Sequence, residues 1–354
     1  MNEKITEETI AREAGVSPSS VSRFFDPTGQ ERLKPETRAK ISPVVSKYDY
    51  EPEKRVVWKR KYKTGVFGLL VPFSPDLFES FYHRKVLAGV MAAMEKSKYD
   101  LKLIPTREED YNHMRGFLKK YLIDGLLVLT WRSHPNLISL VEAISKPFPV
   151  MLINDYDKSV RANFVYCDVA EGVKKGVDYL AAKGRRKIAF LKGPTFNKIG
   201  SGEHTAHVES LDSREKLEGF TDAIKAFNFD LKNEWTLECH SYVRTEGYEK
   251  AKSLFSGAEK PNAVMCSNDT LAAGVLDYLK EQKIACPGEV SVIGFDGHEG
   301  SEFTDPPLTT IRQPLKEMGE KAGEQLIDIA EGRCFSSGAL RFKFLPELVI
   351  RSSA

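Results

Sequence analysis

The chain has 354 residues, of which 41% are hydrophobic and 29% are charged, and its formal net charge is +2. This composition excludes a disordered, collagen-like or membrane-embedded chain and is typical of a globular protein with two or three compact units. The charge is nevertheless uneven, because residues 1–63 contain 14 Lys and Arg against 10 Asp and Glu, whereas the remainder contains 38 against 40.

The five cysteines, at positions 167, 239, 266, 286 and 334, are an odd number without a C-x-x-C pair. This pattern disfavours a disulfide framework and a structural zinc site. The N-terminus has no apolar signal core, and no stretch is apolar for long enough to span a bilayer, so we expect a cytoplasmic protein. No cofactor is expected either, since neither a P-loop nor a G-x-G-x-x-G motif is present.

Residues 6–25 have the pattern of two short helices joined by a tight turn. Thr6 is a good N-cap for the first helix, Gly15 supplies a left-handed turn, and Ser17 followed by Pro18 begins the second helix. The apolar side of the pair is formed by Ile10, Ala11, Ala14, Val16, Val21 and Phe24. The spacing is typical of a helix-turn-helix, although other small helical hairpins share it.

The outward face of the second helix carries short hydroxyls and one arginine, which suit a helix lying in the major groove of DNA. Arg23 is the candidate for reading a base, because a guanidinium can form two hydrogen bonds with guanine. The candidate DNA contacts in the helical region are Thr6, Ser17, Pro18, Ser19, Ser20, Ser22, Arg23 and Thr37.

A third helix is predicted to begin near Pro35 and to bury Ile41, while Pro43 is expected to shorten or bend it. The three helices predict an all-α DNA-binding headpiece at residues 1–50, followed by a linker at 51–63. Residues 54–63, KRVVWKRKYK, hold six basic and no acidic residues, as in a polyanion-binding segment or a solvated linker. The linker adds three candidate DNA contacts, Lys54, Arg55 and Trp58.

From residue 64 onward, predicted strands and helices alternate, as in parallel sheets covered by helices. The first strand series is GVFGLLV, LKLI, GLLVL and VMLI, and the second is FVYC, KIAFL, a strand near 236–239, AVMC and SVIGF. LTTI and a strand near Leu348 complete the prediction. We predict an α/β core at 64–354 with two doubly wound parallel sheets, lobe 1 comprising about 64–161 plus 297–325 and lobe 2 about 162–296 plus 326–354.

Polar and aromatic side chains follow the ends of several strands, where ligands of open α/β sheets bind. Carboxylates and amides suit the hydroxyls of a sugar, and aromatic faces suit the apolar side of its ring. The candidate effector contacts at these strand ends are Phe73, Ser74, Phe78, Trp131, Asn154, Asp155, Asn268, Asp269 and Asp296. For each residue a structural role is an equal alternative, such as helix capping by Asn268 and Asp269.

Several motifs in combination resemble the lactose-repressor/galactose-repressor (LacI/GalR) family of transcription regulators. IAREAGVSPSSVSRFFD, LKPETRAKI and YEPEKR resemble its headpiece, and SVIGFDG with PPLTTIRQP resembles its C-terminal signature. The resemblance implies a two-lobed periplasmic-binding-protein-like core, three chain crossings between the lobes, and a dimer whose hinge helices enter the minor groove. It also implies that Asn268 and Asp296 contact the effector, with Lys216 where the family has an arginine and Tyr242 where an aromatic residue stacks on the ligand.

Two segments depart from the family pattern. The hinge motif PNxxARxL is PEKRVVWK at positions 52–59, so Lys59 stands where the family has a leucine wedge. Either Trp58 or Val56 replaces that wedge, or the protein binds DNA without the same bend. The loop at 194–212 is longer than usual, and its His204 and His207 are expected to be solvated rather than to bind a metal ion. Our hypothesis is that this loop forms a lid over the effector.

The sequence therefore predicts a transcriptional repressor that binds double-stranded operator DNA as a homodimer and responds to a sugar or sugar derivative. The alternatives are a sugar-binding or sugar-modifying protein with an accessory DNA-binding domain. The lack of a signal sequence disfavours an exported binding protein. An enzyme is disfavoured because Asp155, Asp269 and Asp296 come without a recognisable nucleophile–base pair or metal cluster.

Overall fold

A computed structural model describes residues 6–25, 33–48, 63–72, 77–107, 110, 121–129, 135–144, 148–154, 156–199, 206–334 and 338–354. The chain divides into two compact units, Met1–Arg60 and Lys61–Ala354. Across these described ranges, no helix combines the length and apolar character needed to cross a membrane.

The N-terminal unit contains three helices, α1 (Glu7–Ala14), α2 (Pro18–Phe24) and α3 (Pro35–Lys47). Their apolar faces meet in a small core formed by Ile10, Ala11, Ala14, Val21 and Ile41. A surface ion pair of 2.5 Å between Lys47 and Glu13 joins α3 to α1. The predicted shortening of α3 at Pro43 is wrong, since the helix continues beyond that proline to Lys47.

The first sheet of the C-terminal unit has the strand order β13-β5-β4-β3-β1-β2, and all its neighbouring strands are parallel. Its strands are β1 (Val66–Pro72), β2 (Asp100–Thr106), β3 (Gly125–Val128), β4 (Val150–Ile153), β5 (Asn163–Cys167) and β13 (Arg341–Phe344). The accompanying helices are α4 (Phe81–Glu95), α5 (Pro135–Ile144) and α10 (Leu315–Ala330). The central strands are buried along their whole length, as expected for a sheet covered on both faces.

The second sheet has the order β14-β12-β11-β10-β6-β9, and its strands are parallel except for the terminal β14. Its strands are β6 (Ile188–Lys192), β9 (Thr236–Glu238), β10 (Ala263–Cys266), β11 (Ser291–Asp296), β12 (Thr309–Arg312) and β14 (Glu347–Val349). The helices of this lobe are α6 (Val169–Ala182), α7 (Leu211–Ala226), α8 (Arg244–Phe255) and α9 (Asp269–Glu281), with 3-10 turns at Asn233–Trp235 and Glu299–Phe303.

The two faces of the second sheet pack into different cores, because successive side chains of a strand point in opposite directions. Phe190 and Met265 belong to the core that includes α6 and α7, whereas Leu191 and Val264 belong to the core that includes α8 and α9. This two-sided packing holds the carboxyl ends of β6, β10 and β11 side by side, where the candidate site lies.

The predicted lobe bounds are wrong at three places. β5 pairs with β4 in the first sheet, so the chain leaves lobe 1 after Cys167 rather than near residue 161. β12 pairs with β11 in the second sheet, although 297–325 was predicted for lobe 1. The whole of α10 packs on the first sheet, and β13 joins the same sheet although 326–354 was predicted for lobe 2. Strand pairing is non-local, so the order of elements along the chain does not reveal it.

The loop predicted at 194–212 contains an antiparallel hairpin, β7 (Phe196–Ile199) and β8 (Ala206–Glu209). Its base is closed by a 2.9 Å hydrogen bond from the Ser210 backbone nitrogen to the Thr195 carbonyl oxygen. Residues 200–205, including His204, lie outside the described residues, as does the side chain of His207. The hairpin leads directly into α7, whose first turn lines the cleft described below.

Candidate functional site

The helix-turn-helix is built by local capping. The Thr6 hydroxyl accepts a hydrogen bond from the Thr9 backbone nitrogen at 3.3 Å, and the Ser17 hydroxyl accepts one from that of Ser20 at 3.2 Å. Gly15 ends α1 with φ of +62°, in the left-handed region that glycine adopts without strain. Both predicted caps and the predicted glycine turn are confirmed.

The outer face of the headpiece agrees with the predicted pattern. Pro18, Ser19 and Arg23 are exposed, Ser20, Ser22 and Thr37 are partly exposed, and Val21 faces the core. The Ser17 hydroxyl lies 2.9 Å from those of Ser19 and Ser20, so the start of α2 presents a cluster of three hydroxyls. In the described part of the chain, the exposed Arg23 guanidinium has no ion-pair partner, which leaves it available for an outside acceptor. The predicted contacts Lys54, Arg55 and Trp58 lie outside the described residues.

The C-terminal unit contains a cleft of about 710 Å³ between the carboxyl ends of its two sheets. The first sheet contributes Pro72, Leu129 and Asn154, each at the end of a strand or just after it. The second sheet contributes Ser267, Asn268, Asp296 and Gln313 in the same positions. The first turn of α7 and the start of α4 close two further sides. This is where open α/β sheets bind their ligands.

Lys216 is the central charge of the cleft. It lies on α7, is 2% exposed, and its ammonium group lies 2.9 Å from Asp212 and 3.9 Å from Asp296. The same group donates a 3.0 Å hydrogen bond to the Ser267 carbonyl oxygen and lies 4.1 Å from the centre of the Phe295 ring. Burial alone would lower the pKa of Lys216, but the charges of Asp212 and Asp296 outweigh burial and raise it above its ordinary value.

Asp296 and Gln313 form the second polar pair. Gln313 Nε2 donates a 2.9 Å hydrogen bond to Asp296 Oδ1. Asp296 has φ of +96°, a conformation that non-glycine residues rarely adopt, at the point where β11 ends and Gly297 follows. Strained backbone of this kind occurs at ligand sites, where the surrounding structure supports it. Gln313 was not predicted from the sequence, although its position directly after β12 follows the rule used for the other candidates.

Asp269 is buried beneath the cleft and connects three segments of the second lobe. Its carboxylate accepts hydrogen bonds of 2.5 Å from the Thr310 hydroxyl and from the His298 backbone nitrogen. Burial, together with the charge of Asp296, raises the pKa of Asp269 to about 8, although these two hydrogen bonds oppose the rise. These contacts give Asp269 a structural role. Asn268 caps α9, accepting a 2.8 Å hydrogen bond from the Leu271 backbone nitrogen.

Aromatic side chains provide the less polar walls. The Tyr242 hydroxyl lies 3.1 Å from the Ser213 hydroxyl. A Cβ added at Gly193 would lie 2.1 Å from the Tyr242 hydroxyl, so only glycine at position 193 leaves room for the tyrosine. On the opposite lobe, Asn154 donates a 3.0 Å hydrogen bond to the Tyr82 hydroxyl and accepts one of 3.1 Å from the Cys167 backbone nitrogen.

The two lobes also touch beside the cleft. The Phe81 and His298 rings are 4.7 Å apart, and Glu299 forms ion pairs with Lys85 and, at 3.6 Å, with Arg84. Phe81 and His298 line the cavity, so this contact between α4 and the 3-10 turn forms part of its wall.

The structure brings together six of the predicted effector contacts, namely Asn154, Lys216, Tyr242, Asn268, Asp269 and Asp296. Phe78 is 57% exposed and does not line the described cavity, whereas Glu79–His83 next to it do. Phe73, Ser74, Trp131 and Asp155 lie outside the described residues. Sequence reasoning missed Asp212, Ser267, Gln313 and His298. Three of these had a usable signal, because Ser267 and Gln313 directly follow strands and Asp212 lies four residues before Lys216, on the same helix face.

Comparison with known proteins identifies both units. Residues 8–53 match the family of bacterial regulatory proteins of the lacI type, and residues 177–354 match the periplasmic binding protein-like domain. The HTH-type transcriptional repressor PurR of Vibrio vulnificus (strain CMCP6) is 30% identical over 350 residues, which cover 97% of each chain.

Solved structures agree with this fold. A complex of the transcriptional regulator CelR with cellobiose is 22% identical and matches with a TM-score of 0.71 over 99% of this chain and 100% of that one. The lac repressor dimer bound to operator and the anti-inducer ONPF is 20% identical and matches with a TM-score of 0.66 over 99% of both chains. These relatives are transcriptional regulators rather than enzymes. The chain therefore belongs to the LacI family of DNA-binding transcriptional repressors, with a helix-turn-helix domain followed by a two-lobed ligand-binding domain.

Proposed function

We propose that this repressor acts as a homodimer whose operator affinity is controlled by a sugar or sugar derivative bound in the cleft. The observation that carries the effector class is the lining of the cavity, where Asp212, Asp296 and Gln313 meet the aromatic side chains of Phe81 and Tyr242. Carboxylate and amide oxygens accept hydrogen bonds from neighbouring hydroxyls, and aromatic faces cover the C–H side of a pyranose. The CelR structure, described as a complex with cellobiose, supports this class.

The dimer follows from the size of the headpiece. A single α2 presents few side chains to DNA, and such a surface recognises too few bases for useful affinity. Two headpieces on a pseudopalindromic operator double the contacts, and the lac repressor structure is described as a dimer bound to operator. We propose that Arg23 reads a base, that the hydroxyls of Ser17, Ser19 and Ser20 contact phosphate or bases, and that Lys54, Arg55 and Trp58 add contacts from the linker.

Control of operator affinity requires two conformations that the effector binds unequally, because a ligand with equal affinity for both does not change their populations. We propose that these two conformations differ in the angle between the lobes. A sugar in the cleft contacts both sheets, since Asn154 belongs to one lobe and Asp296 to the other. Its binding would shift the lobe angle and so the spacing of the two linkers in the dimer.

The test begins with selection of genomic DNA fragments by the purified full-length protein, followed by sequencing. A single palindromic motif is expected, and enrichment without a shared motif would contradict the operator proposal. Fluorescence anisotropy on that motif then measures operator affinity in the presence of neutral mono- and disaccharides. At least one sugar is expected to change the affinity, and a panel without any effect would contradict the effector class.

A pair of variants connects the effect to the cleft. Tyr242→Ala removes an aromatic wall of the cavity, whereas Phe227→Ala removes an aromatic side chain of similar exposure, 40% against 36%, that does not line the described cavity. Tyr242→Ala should need about tenfold more of the active sugar for the same change in operator affinity. Phe227→Ala should respond to the sugar as the wild type does. Equal responses of the two variants would place the sugar elsewhere.

A further inference from the structure

We propose that the cleft selects an uncharged sugar and rejects phosphorylated or carboxylated ones, because its buried cation is already paired within the protein and two carboxylates lie beside that cation. The inference rests on the proposed sugar effector and narrows it. Its structural basis is the juxtaposition of Lys216, Asp212, Asp296, Ser267 and Gln313.

Lys216 already donates two of its three ammonium protons within the protein. An ammonium group has three protons. One is donated to the Ser267 carbonyl oxygen at 3.0 Å and one to Asp212 at 2.9 Å, while the Asp296 carboxylate lies 3.9 Å from the ammonium group, beyond hydrogen-bond distance. With a side chain only 3% exposed, Lys216 cannot turn toward a ligand without breaking these contacts.

The charge balance around Lys216 is negative. Among the described residues that line the cavity it is the one lysine or arginine, whereas Asp212 and Asp296 together carry two negative charges beside it. Their side chains are 29% and 22% exposed, so both carboxylates remain accessible from the cavity. A phosphate placed here would face like charges in a partly desolvated site, which is strongly unfavourable.

Four helices, α4, α7, α8 and α9, begin at the cleft, and three of them have a side-chain cap. Helix N-termini attract anions through their free backbone N–H groups. At the start of α9, Asn268 accepts from Leu271. At the start of α7, Ser210 accepts from Ser213 at 3.4 Å, and Asp212 lies in the first turn. Side-chain caps therefore occupy α4, α7 and α9, whereas Val243 gives α8 no such cap and Glu246 places a negative charge in its first turn.

Two residues that line the cleft each have a buried polar atom without a hydrogen-bond partner among the described residues. Gln313 Oε1 and Ser267 Oγ have no partner among the described residues, although the two residues are only 5% and 0% exposed. The orientation of Gln313 follows from its contact with Asp296, because a carboxylate accepts hydrogen bonds and so faces the amide nitrogen. Its carbonyl oxygen is thus the free end. A hydroxyl group can donate to this carbonyl oxygen, whereas an ionised phosphate or carboxylate oxygen cannot; the Ser267 hydroxyl can both donate and accept.

The first experiment compares matched ligands by isothermal titration calorimetry of the full-length protein. The pairs are glucose, trehalose and N-acetylglucosamine with their 6-phosphates. For any pair that binds, the neutral member should bind at least about tenfold more tightly. Equal or tighter binding of a phosphorylated member would overturn the inference. If neither member of any pair binds, the effector proposal for these sugars fails, and the second experiment decides the charge selection separately.

The second experiment uses inorganic phosphate as the probe and Asp212→Asn as the variant. The change keeps an acceptor for Lys216 but removes one negative charge, so phosphate affinity should rise by at least about tenfold over wild type. Asp222→Asn is the matched control, because it removes an exposed aspartate from the same helix and leaves the headpiece unchanged. Equal phosphate affinity of the two variants would overturn the inference. The same would follow if wild type bound phosphate as tightly as Asp212→Asn.

Discussion

Replacing Lys216 with methionine tests whether the buried cation holds the cleft together. Methionine keeps the length of the side chain and suits the neighbouring Phe295 ring, so the main loss is the positive charge. The variant leaves Asp212 and Asp296 without the ammonium group that lies within 4 Å of both.

The distances set the size of the effect. At an effective dielectric constant of about 20, separations of 2.9 and 3.9 Å correspond to attractions of roughly 6 and 4 kcal/mol. Desolvation of the charges opposes this by several kcal/mol for each ion, and breaking buried pairs typically costs about 3–5 kcal/mol. Because Asp212 and Asp296 are partly exposed and can hydrate, we expect the lower end, about 3 kcal/mol.

The assay is thermal unfolding of the full-length protein, followed by circular dichroism. A loss of about 3 kcal/mol corresponds to a decrease of roughly 6–12 °C in the transition of a lobe of this size. The pKa of Lys216 is raised, so its stabilisation is fully present below its unfolded pKa of about 10.4 and is lost only as pH rises through the folded pKa. The decrease should therefore be seen throughout neutral pH.

Two controls make the result specific. Lys225→Met removes an exposed lysine from the same helix and should change stability by less than about 0.5 kcal/mol. Adding Asp212→Asn to Lys216→Met removes one of the two carboxylates that have lost the ammonium group and should restore part of the loss. The reasoning is refuted if Lys216→Met unfolds at the wild-type temperature, or if the double variant recovers nothing.

Three other changes test separate parts of the molecule. Arg23→Ala should weaken binding to the selected operator by about 1–3 kcal/mol and reduce its discrimination from scrambled DNA, measured by anisotropy with Arg12→Ala as control, and unchanged discrimination would contradict base reading. The pKa of Asp269 is raised to about 8, so the native state holds a proton that the unfolded state has lost, and wild-type stability should fall as pH rises from about 4 to about 8. Asp269→Asn should reduce the difference in unfolding free energy between pH 5 and pH 8, measured by urea unfolding. An unchanged difference would count against the raised pKa of Asp269. Gly89→Ala places a Cβ 1.9 Å from the Lys316 carbonyl oxygen, where α4 crosses α10, and should cost about 1–3 kcal/mol in thermal unfolding. Gly338→Ala has no described heavy atom within 4 Å of the added Cβ and should leave thermal stability nearly unchanged. Similar losses of stability in both variants would argue against close packing of α4 on α10.

Much of the fold follows from local signals. The caps at Thr6 and Ser17, the left-handed Gly15 and the helix Val169–Ala182 depend on residues a few positions apart, so the sequence predicts them directly. Buried parallel strands such as Ala263–Cys266 are equally visible as short apolar runs between turn residues. These signals, with the motifs of the headpiece and the C-terminal signature, were sufficient for the family and the fold class.

Strand partnership was not predictable in the same way. β5 and β13 are far apart in sequence but adjacent in the first sheet, and β12 pairs across to β11. The hairpin of β7 and β8 was missed because its strands lie in a polar stretch without an apolar run. In each case the strand pairing was decided by backbone hydrogen bonds between distant or polar segments. Side-chain patterns do not reveal this pairing, because they indicate which residues are buried and not which strands are neighbours.

The kinds of side chain that follow the strand ends were predictable from the amino-acid sequence, because strand ends are local features. Strand ends identified Asn154 and Asp296, the family resemblance added Lys216 and Tyr242, and the tertiary structure placed all four around one cleft. Only that structure showed that Asp212 and the Ser267 carbonyl oxygen accept protons of the Lys216 ammonium group. It also showed that the Gln313 carbonyl oxygen has no partner among the described residues. The physical reason is that the charge and hydrogen-bonding capacity of a site depend on which groups already pair with one another. That pairing is set by packing between elements far apart in the chain.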